Sequence, residues 1–137
     1  MAEKTDEIEV AVAEVVDYLR IRGEFAPALA AVVERKVAAE GAKKMGLRVS
    51  GKELQKAADA FRVLNDLSKA SDTERWLKAN GITVEALESY LETNILLSKL
   101  KDRLGKKASK AKYLKAASIQ ESVKDMIYRD WLAKQMK

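Results

Sequence analysis

Apolar residues in this chain recur at intervals of three and four and almost nowhere at intervals of two. That spacing favours amphipathic helices and leaves little material for strands. Ile8, Val12, Val15, Val16 and Leu19 form the first such stripe, predicting a helix from about Asp6 to Arg22 that stops at Gly23. A second helix is predicted from about Phe25 to Met45, with Leu29, Val32, Val33 and Val37 as its buried face. Pro27, the single proline, falls in the first turn, where the amide it lacks has no partner inside the helix. Gly41 is a local weakness in that helix, costing about 1 kcal/mol relative to alanine, and Gly46 is a natural stop.

Three Ser-x-x-Glu patterns mark further helix starts. In Val49-Ser50-Gly51-Lys52-Glu53-Leu54, Ser50 can cap the helix while Glu53 reaches back to the Ser50 amide, and Val49 can clasp Leu54. Leu54, Ala57, Ala58, Phe61 and Leu64 supply the inward face that follows. Ser71-Asp72-Thr73-Glu74 predicts a short helix carrying Trp76 and Leu77 and ending at Asn80-Gly81. Thr83 caps a longer helix whose stripe of Leu87, Tyr90, Leu91, Leu97, Leu100 and Leu104 runs to Gly105, with Asn94 as its polar exception. Ser118 with Glu121 opens the last helix, which holds Val123, Met126, Ile127, Trp131 and Leu132. Trp76, Tyr90, Phe61, Trp131 and Met126 all fall on faces expected to point inward. The fold class is therefore all-α, with about six helices and essentially no sheet.

A chain of 137 residues is sized for one domain. It contains no histidine and no cysteine, which excludes His/Cys zinc sites, Ser-His-Asp and Cys-His dyads, histidine or cysteine haem ligation, and disulfides. Six glycines are scattered as helix punctuation, with neither G-x-G-x-x-G nor a P-loop pattern to cradle phosphates. Ser50 and Lys52 could be drawn as a Ser-Lys dyad, but the capping box already uses Ser50. The acidic residues fall at caps and on outward faces, where solvated roles are the simpler reading. No catalytic residue, metal site or cofactor is expected. No apolar run reaches the length of a membrane span, and the polar Met1-Ala2-Glu3-Lys4 start is unlike a signal peptide, so a cytoplasmic location is expected.

The net charge of +5 is unevenly spread. Residues 1–100 carry 15 basic and 17 acidic side chains, whereas residues 101–137 carry 11 and four. Lys99, Lys101, Arg103, Lys106, Lys107, Lys110, Lys112 and Lys115 crowd one segment that contains a single acid, Asp102. Such a run can attract nucleic acid through counterion release. Only Tyr113 is interleaved with it, however, and a solvated tether between helices is the better reading. Nucleic acid is not the expected partner.

The order of these motifs resembles a known family. The run Val49–Arg62, then Ser68 to Asp72-Thr73-Glu74-Arg75-Trp76-Leu77, then Gly81-Ile82-Thr83-Val84-Glu85-Ala86-Leu87, then Lys99-Leu100-Lys101-Asp102-Arg103-Leu104, is similar to the N-terminal chaperone domain of SurA-like, parvulin-type peptidylprolyl isomerases. Val15-Val16-Asp17-Tyr18-Leu19 and Val32-Val33-Glu34-Arg35-Lys36 resemble the two helices that open that domain, so the likeness spans residues 8–104. In full-length relatives a parvulin domain of about a hundred residues follows. Here residues 105–117 form a basic linker, and within a last helix at residues 118–137 the run Ile127-Tyr128-Arg129-Asp130-Trp131-Leu132-Ala133-Lys134-Gln135 resembles the C-terminal helix that packs back on the N-terminal domain. The resemblance thus implies a single helical domain, a peptide-binding module from which the isomerase domain is deleted.

Short chains of this kind also resemble accessory partners in clusters that make ribosomally synthesised, modified peptides, including two-component spliceases. That resemblance implies a non-catalytic accessory protein that binds a precursor peptide, its modifying enzyme (of the radical SAM type, for example), or both. It further implies an apolar groove between the first helices and the last, suited to a helical peptide. Tyr18, Phe25, Trp76 and Trp131 are the candidate contact residues, with Lys106, Lys107 and Lys110 steering an acidic partner. A general holdase chaperone and a basic nucleic-acid-binding helical domain are the alternatives. A homodimer formed by swapping the last helix is compatible with the tether.

Overall fold

The computed structural model describes residues 2–5, 8–106 and 117–136. They form two short strands, β1 (Ala2–Thr5) and β2 (Ile8–Ala11), and six helices: α1 (Val12–Ile21), α2 (Phe25–Lys44), α3 (Gly51–Leu64), α4 (Ala70–Asn80), α5 (Val84–Gly105) and α6 (Ala117–Gln135). The all-α reading holds, apart from the small sheet. The chain divides into two compact units, Met1–Lys36 and Val37–Lys137, with the boundary inside α2.

In the first unit β1 and β2 pair antiparallel, with Ala2 opposite Ala11 and Thr5 opposite Ile8. The helix predicted from about Asp6 therefore starts at Val12 instead, and residues 8–11 are strand. Ile8-Glu9-Val10 alternates apolar and polar over only three residues, and the β-branched ends favour an extended backbone. A helical stripe continues straight on from it and masks the signal. Gly23 takes φ of +71° to turn the chain between α1 and α2, as its position predicts.

The expected burial of the first two stripes is not what the structure shows. No residue of α1 is buried, and on α2 Leu29, Val32 and Val33 are 52, 51 and 40% exposed. These residues lie in the first unit, before its boundary at Lys36, whereas the buried residues of α2, Ala38 and Ala42, form a small-residue face beyond it.

That face belongs to the core of the second unit. Ala38 and Ala42 on α2, Leu96 and Leu100 on α5, and Tyr128 and Leu132 on α6 form one buried cluster. Each helix contributes one i,i+4 pair, neighbours on a single helical face. The α2 pair is alanine, which lets the helices approach closely. Between its two alanines sits Gly41, and the Trp131 indole lies over it: a Cβ at position 41 would stand 2.6 Å from Trp131 Cζ2 and closer still to Cη2. The glycine that reads as a local defect is the seat of the largest side chain on α6. Pairs of Lys101 with Asp125 at 3.1 Å and Lys124 with Asp102 at 2.9 Å join α5 to α6 along the outside. The C-terminal helix thus packs back as expected, although Met126, expected inward, is 71% exposed.

Helix starts follow the sequence where capping is local. Ser50 and Glu53 form the full capping box of α3, with Glu53 N–H donating to Ser50 Oγ at 3.1 Å and Ser50 N–H donating to Glu53 Oε1 at 3.0 Å. Thr83 Oγ1 accepts from the Ala86 amide at 3.1 Å to start α5. The Ser71 box does not form in this way. Ser71 lies inside α4, whose N-cap is Lys69 without a side-chain bond, and Asp72 in the first turn places negative charge at the helix N-terminus. Ser118 likewise lies within α6, which begins at Ala117.

Replacing Gly41 by alanine adds about 1 kcal/mol of helix propensity but forces Trp131 out of its seat, at an overpacking cost of about 1–3 kcal/mol. The expected outcome is a net loss of stability in urea denaturation. Most of it should be recovered when Trp131 is also shortened to leucine.

Candidate functional site

The second unit contains an open cleft of about 570 Å³ between α3 and α5. Its shape follows from side-chain size. Ala57 and Ala60 stand three residues apart on α3 and leave the floor low, while Phe61 and Ile95 rise as walls. Phe61 is held from behind by Trp76 of α4, edge to face, with ring centroids 5.4 Å apart and planes at 73°. Leu91 under the cleft is buried, whereas Leu64 and Tyr90 at one end are 84 and 51% exposed. Leu64 was expected to point inward. It stands at the last residue of α3, beyond the packed part of that helix's face.

The other end is closed by charge. Lys99 of α5 reaches both oxygens of Glu53 at 2.8 Å and donates to the Arg48 carbonyl at 2.7 Å. An ammonium has three N–H donors, and these three acceptors match them. Glu53 meanwhile accepts the Ser50 amide. The Lys99 hydrogen bond, followed by the Ser50 amide, holds the Glu53 carboxyl at about 2, well below its ordinary 4.5. Asn94 and Ser98, one turn apart on α5, supply polar groups along one wall. The site is thus an apolar trough with a self-neutralised end. It can hold apolar side chains, and its Ser98 hydroxyl can meet a backbone amide.

The residues singled out from the sequence lie elsewhere. Tyr18 and Phe25 belong to the first unit, where Arg22 lies over the Tyr18 ring at 5.5 Å and Arg20 over Phe25 at 4.6 Å. Trp76 is one layer behind the cleft, bracing Phe61. Trp131 is seated on Gly41 of α2. Lys106 caps the end of α5, and Lys107 and Lys110 lie outside the described residues, as does most of the basic linker. Two lysines of the basic run have internal duties: Lys99 on Glu53, and Lys101 on Asp125 and over the Tyr128 ring at 4.9 Å. Ala57 was read only as part of the inward face of α3, and Ala60 was left off it, because small residues look like ordinary packing. Their spacing next to Phe61 was the available signal.

Comparison with known proteins agrees with this fold. Residues 13–101, more than half of the chain, match the family described as the SurA-like N-terminal domain, and the chain belongs to that family. No curated protein and no solved structure matches it. Among the described residues no helix is long and apolar enough to cross a membrane.

The depressed Glu53 carboxyl has a pH signature. A lowered folded-state pKa contributes stability that is complete above about 4.5 and drains away as the pH falls towards about 2. Glu53→Gln should therefore lower the urea midpoint at pH 7, with the gap to the unsubstituted protein closing as the pH is taken from 5 to about 2.

Proposed function

We propose that this chain is a non-catalytic peptide-binding module that holds an apolar stretch of a client polypeptide in the cleft between α3 and α5. Membership of the SurA-like N-terminal domain family supports a chaperone-like role. The observation that carries the reading is the trough itself: an open apolar surface with a low alanine floor and a braced aromatic wall. The mechanism is capture without covalent change and asks for no cofactor. Burying two leucine-sized side chains yields about 3–6 kcal/mol before ordering costs. That corresponds to dissociation constants on the order of 0.1 mM or weaker for a short peptide. Weak, reversible holding suits a protein that hands its client on.

The finer reading is that the client is a ribosomally made precursor peptide, presented to a modifying enzyme of the radical SAM type in the cytoplasm. It rests on the resemblance, read from the sequence, to accessory proteins of peptide-modification clusters. A general holdase would use the same trough without preference among clients. Engagement of Lys99 and Lys101 with carboxylates weighs against the nucleic-acid reading, because an ion-paired lysine displaces fewer counterions from a phosphate backbone.

Fluorescence anisotropy tests the proposal, using an acetylated, amidated, dye-labelled peptide with leucines at i, i+3, i+4 and i+7 on an uncharged background. Ala60→Trp, at an exposed position that leaves the core intact, should weaken binding at least about tenfold by filling the trough. Equal affinity of the filled variant would contradict the site. Stronger binding of a precursor peptide than of a reduced, alkylated unfolded protein supports the accessory role, and equal binding supports the holdase.

A further inference from the structure

The lining of the cleft carries one acidic and one basic side chain, and they are spent on each other. Glu53 presents both oxygens to Lys99 at 2.8 Å, and the pair also engages the Ser50 amide and the Arg48 carbonyl. The other lining side chains are neutral: Ala57, Ala60, Phe61, Leu64 and Leu91 with Tyr90, Asn94, Ile95 and Ser98. A charged guest side chain entering here would lose water and find no counter-charge that is not already engaged. We infer that the Glu53–Lys99 pair is the specificity-determining element of the cleft, restricting its guests to segments that are uncharged where they are buried.

This inference rests on the cleft reading above and adds a sign to it. Recognition in the cleft is by apolar fit, so affinity there is insensitive to salt. Breaking the pair from either side converts the neutral end into a charged one. Without Glu53 the end is a lysine that recruits an acidic guest. Without Lys99 it is a carboxylate that recruits a basic one.

Both halves can be removed without dismantling the helix. Glutamine at position 53 keeps the carbonyl that the Ser50 amide needs, since Glu and Gln serve equally at that place in a capping box. Methionine at position 99 keeps the apolar stem. The test is an anisotropy titration of Glu53→Gln, Lys99→Met and the double variant against three dye-labelled, end-blocked leucine-patterned peptides. The peptides are identical except for glutamine, glutamate or lysine at one terminal position, and thermal melts confirm folding. The unsubstituted protein should prefer the glutamine peptide over both charged ones by about fivefold, with no change between 50 and 500 mM salt. Glu53→Gln should shift preference to the glutamate peptide and Lys99→Met to the lysine peptide, each gain being lost at high salt. The double variant should return to the neutral ranking. If all four proteins rank the peptides alike while Ala60→Trp still abolishes binding, the pair has no selective role and the cleft reading stands. If no peptide binds the unsubstituted protein, the cleft reading fails and this inference fails with it.

Discussion

The second unit depends on one close approach, that of the Trp131 indole to the bare backbone of α2 at Gly41. Two alanines flank that glycine on the same face, and together they let Tyr128 and Leu132 of α6 meet Leu96 and Leu100 of α5 in a single cluster. Larger residues on α2 would hold α6 off by the width of a side chain and open the cluster to water. With α6 seated there, one side of α5 is committed to the core. Its other side is left to α3, and the two helices meet there through alanines and one phenylalanine, leaving a trough where bulkier residues would have left none.

Charge is used inside this unit as a fastener. Lys99 ties α5 to the capped start of α3, while Lys101 and Lys124 tie α5 to α6 through Asp125 and Asp102. Asp102 in turn raises the Lys124 ammonium above its ordinary pKa. These pairs are partly exposed, and each contributes little to stability alone. Their larger effect is on register. They fix α5 relative to both neighbours, and the one at α3 leaves the end of the trough without net charge. A chain whose last 37 residues read as strongly basic therefore has a cleft whose lining carries no net charge.

How much of this was legible depended on the range of the interaction. The Ser50 box, the Thr83 cap and the Gly23 and Gly81 stops were readable because every participating group lies within about four residues. The all-α class was readable because periodicity is also local. The hairpin at residues 2–5 and 8–11 was hidden by a helical stripe that overlaps its second strand. Whether a stripe is buried is set by what packs on it, so Val12 and Val15 of α1 and Val32 and Val33 of α2 read as core although they are exposed. Gly41 and Ala60 carry no side chain large enough to announce a role, and Ala57 read as ordinary packing; only the partners across the gap show that their smallness is used. Lys99 looked like one more member of a basic run because its acceptors are 46 and 51 residues away.

The central claim is that clients bind between α3 and α5, and its most direct test is a map of amide chemical shifts in the uniformly ¹⁵N-labelled chain during titration with the leucine-patterned neutral peptide. The account predicts that the amides of Ala57, Ala60, Phe61, Tyr90 and Ile95 move together and saturate along one binding curve, while those of Gly41, Tyr128 and Leu132 stay in place. Shifts confined to residues 12–33, or to α6, with the α3 and α5 amides unmoved, would contradict it.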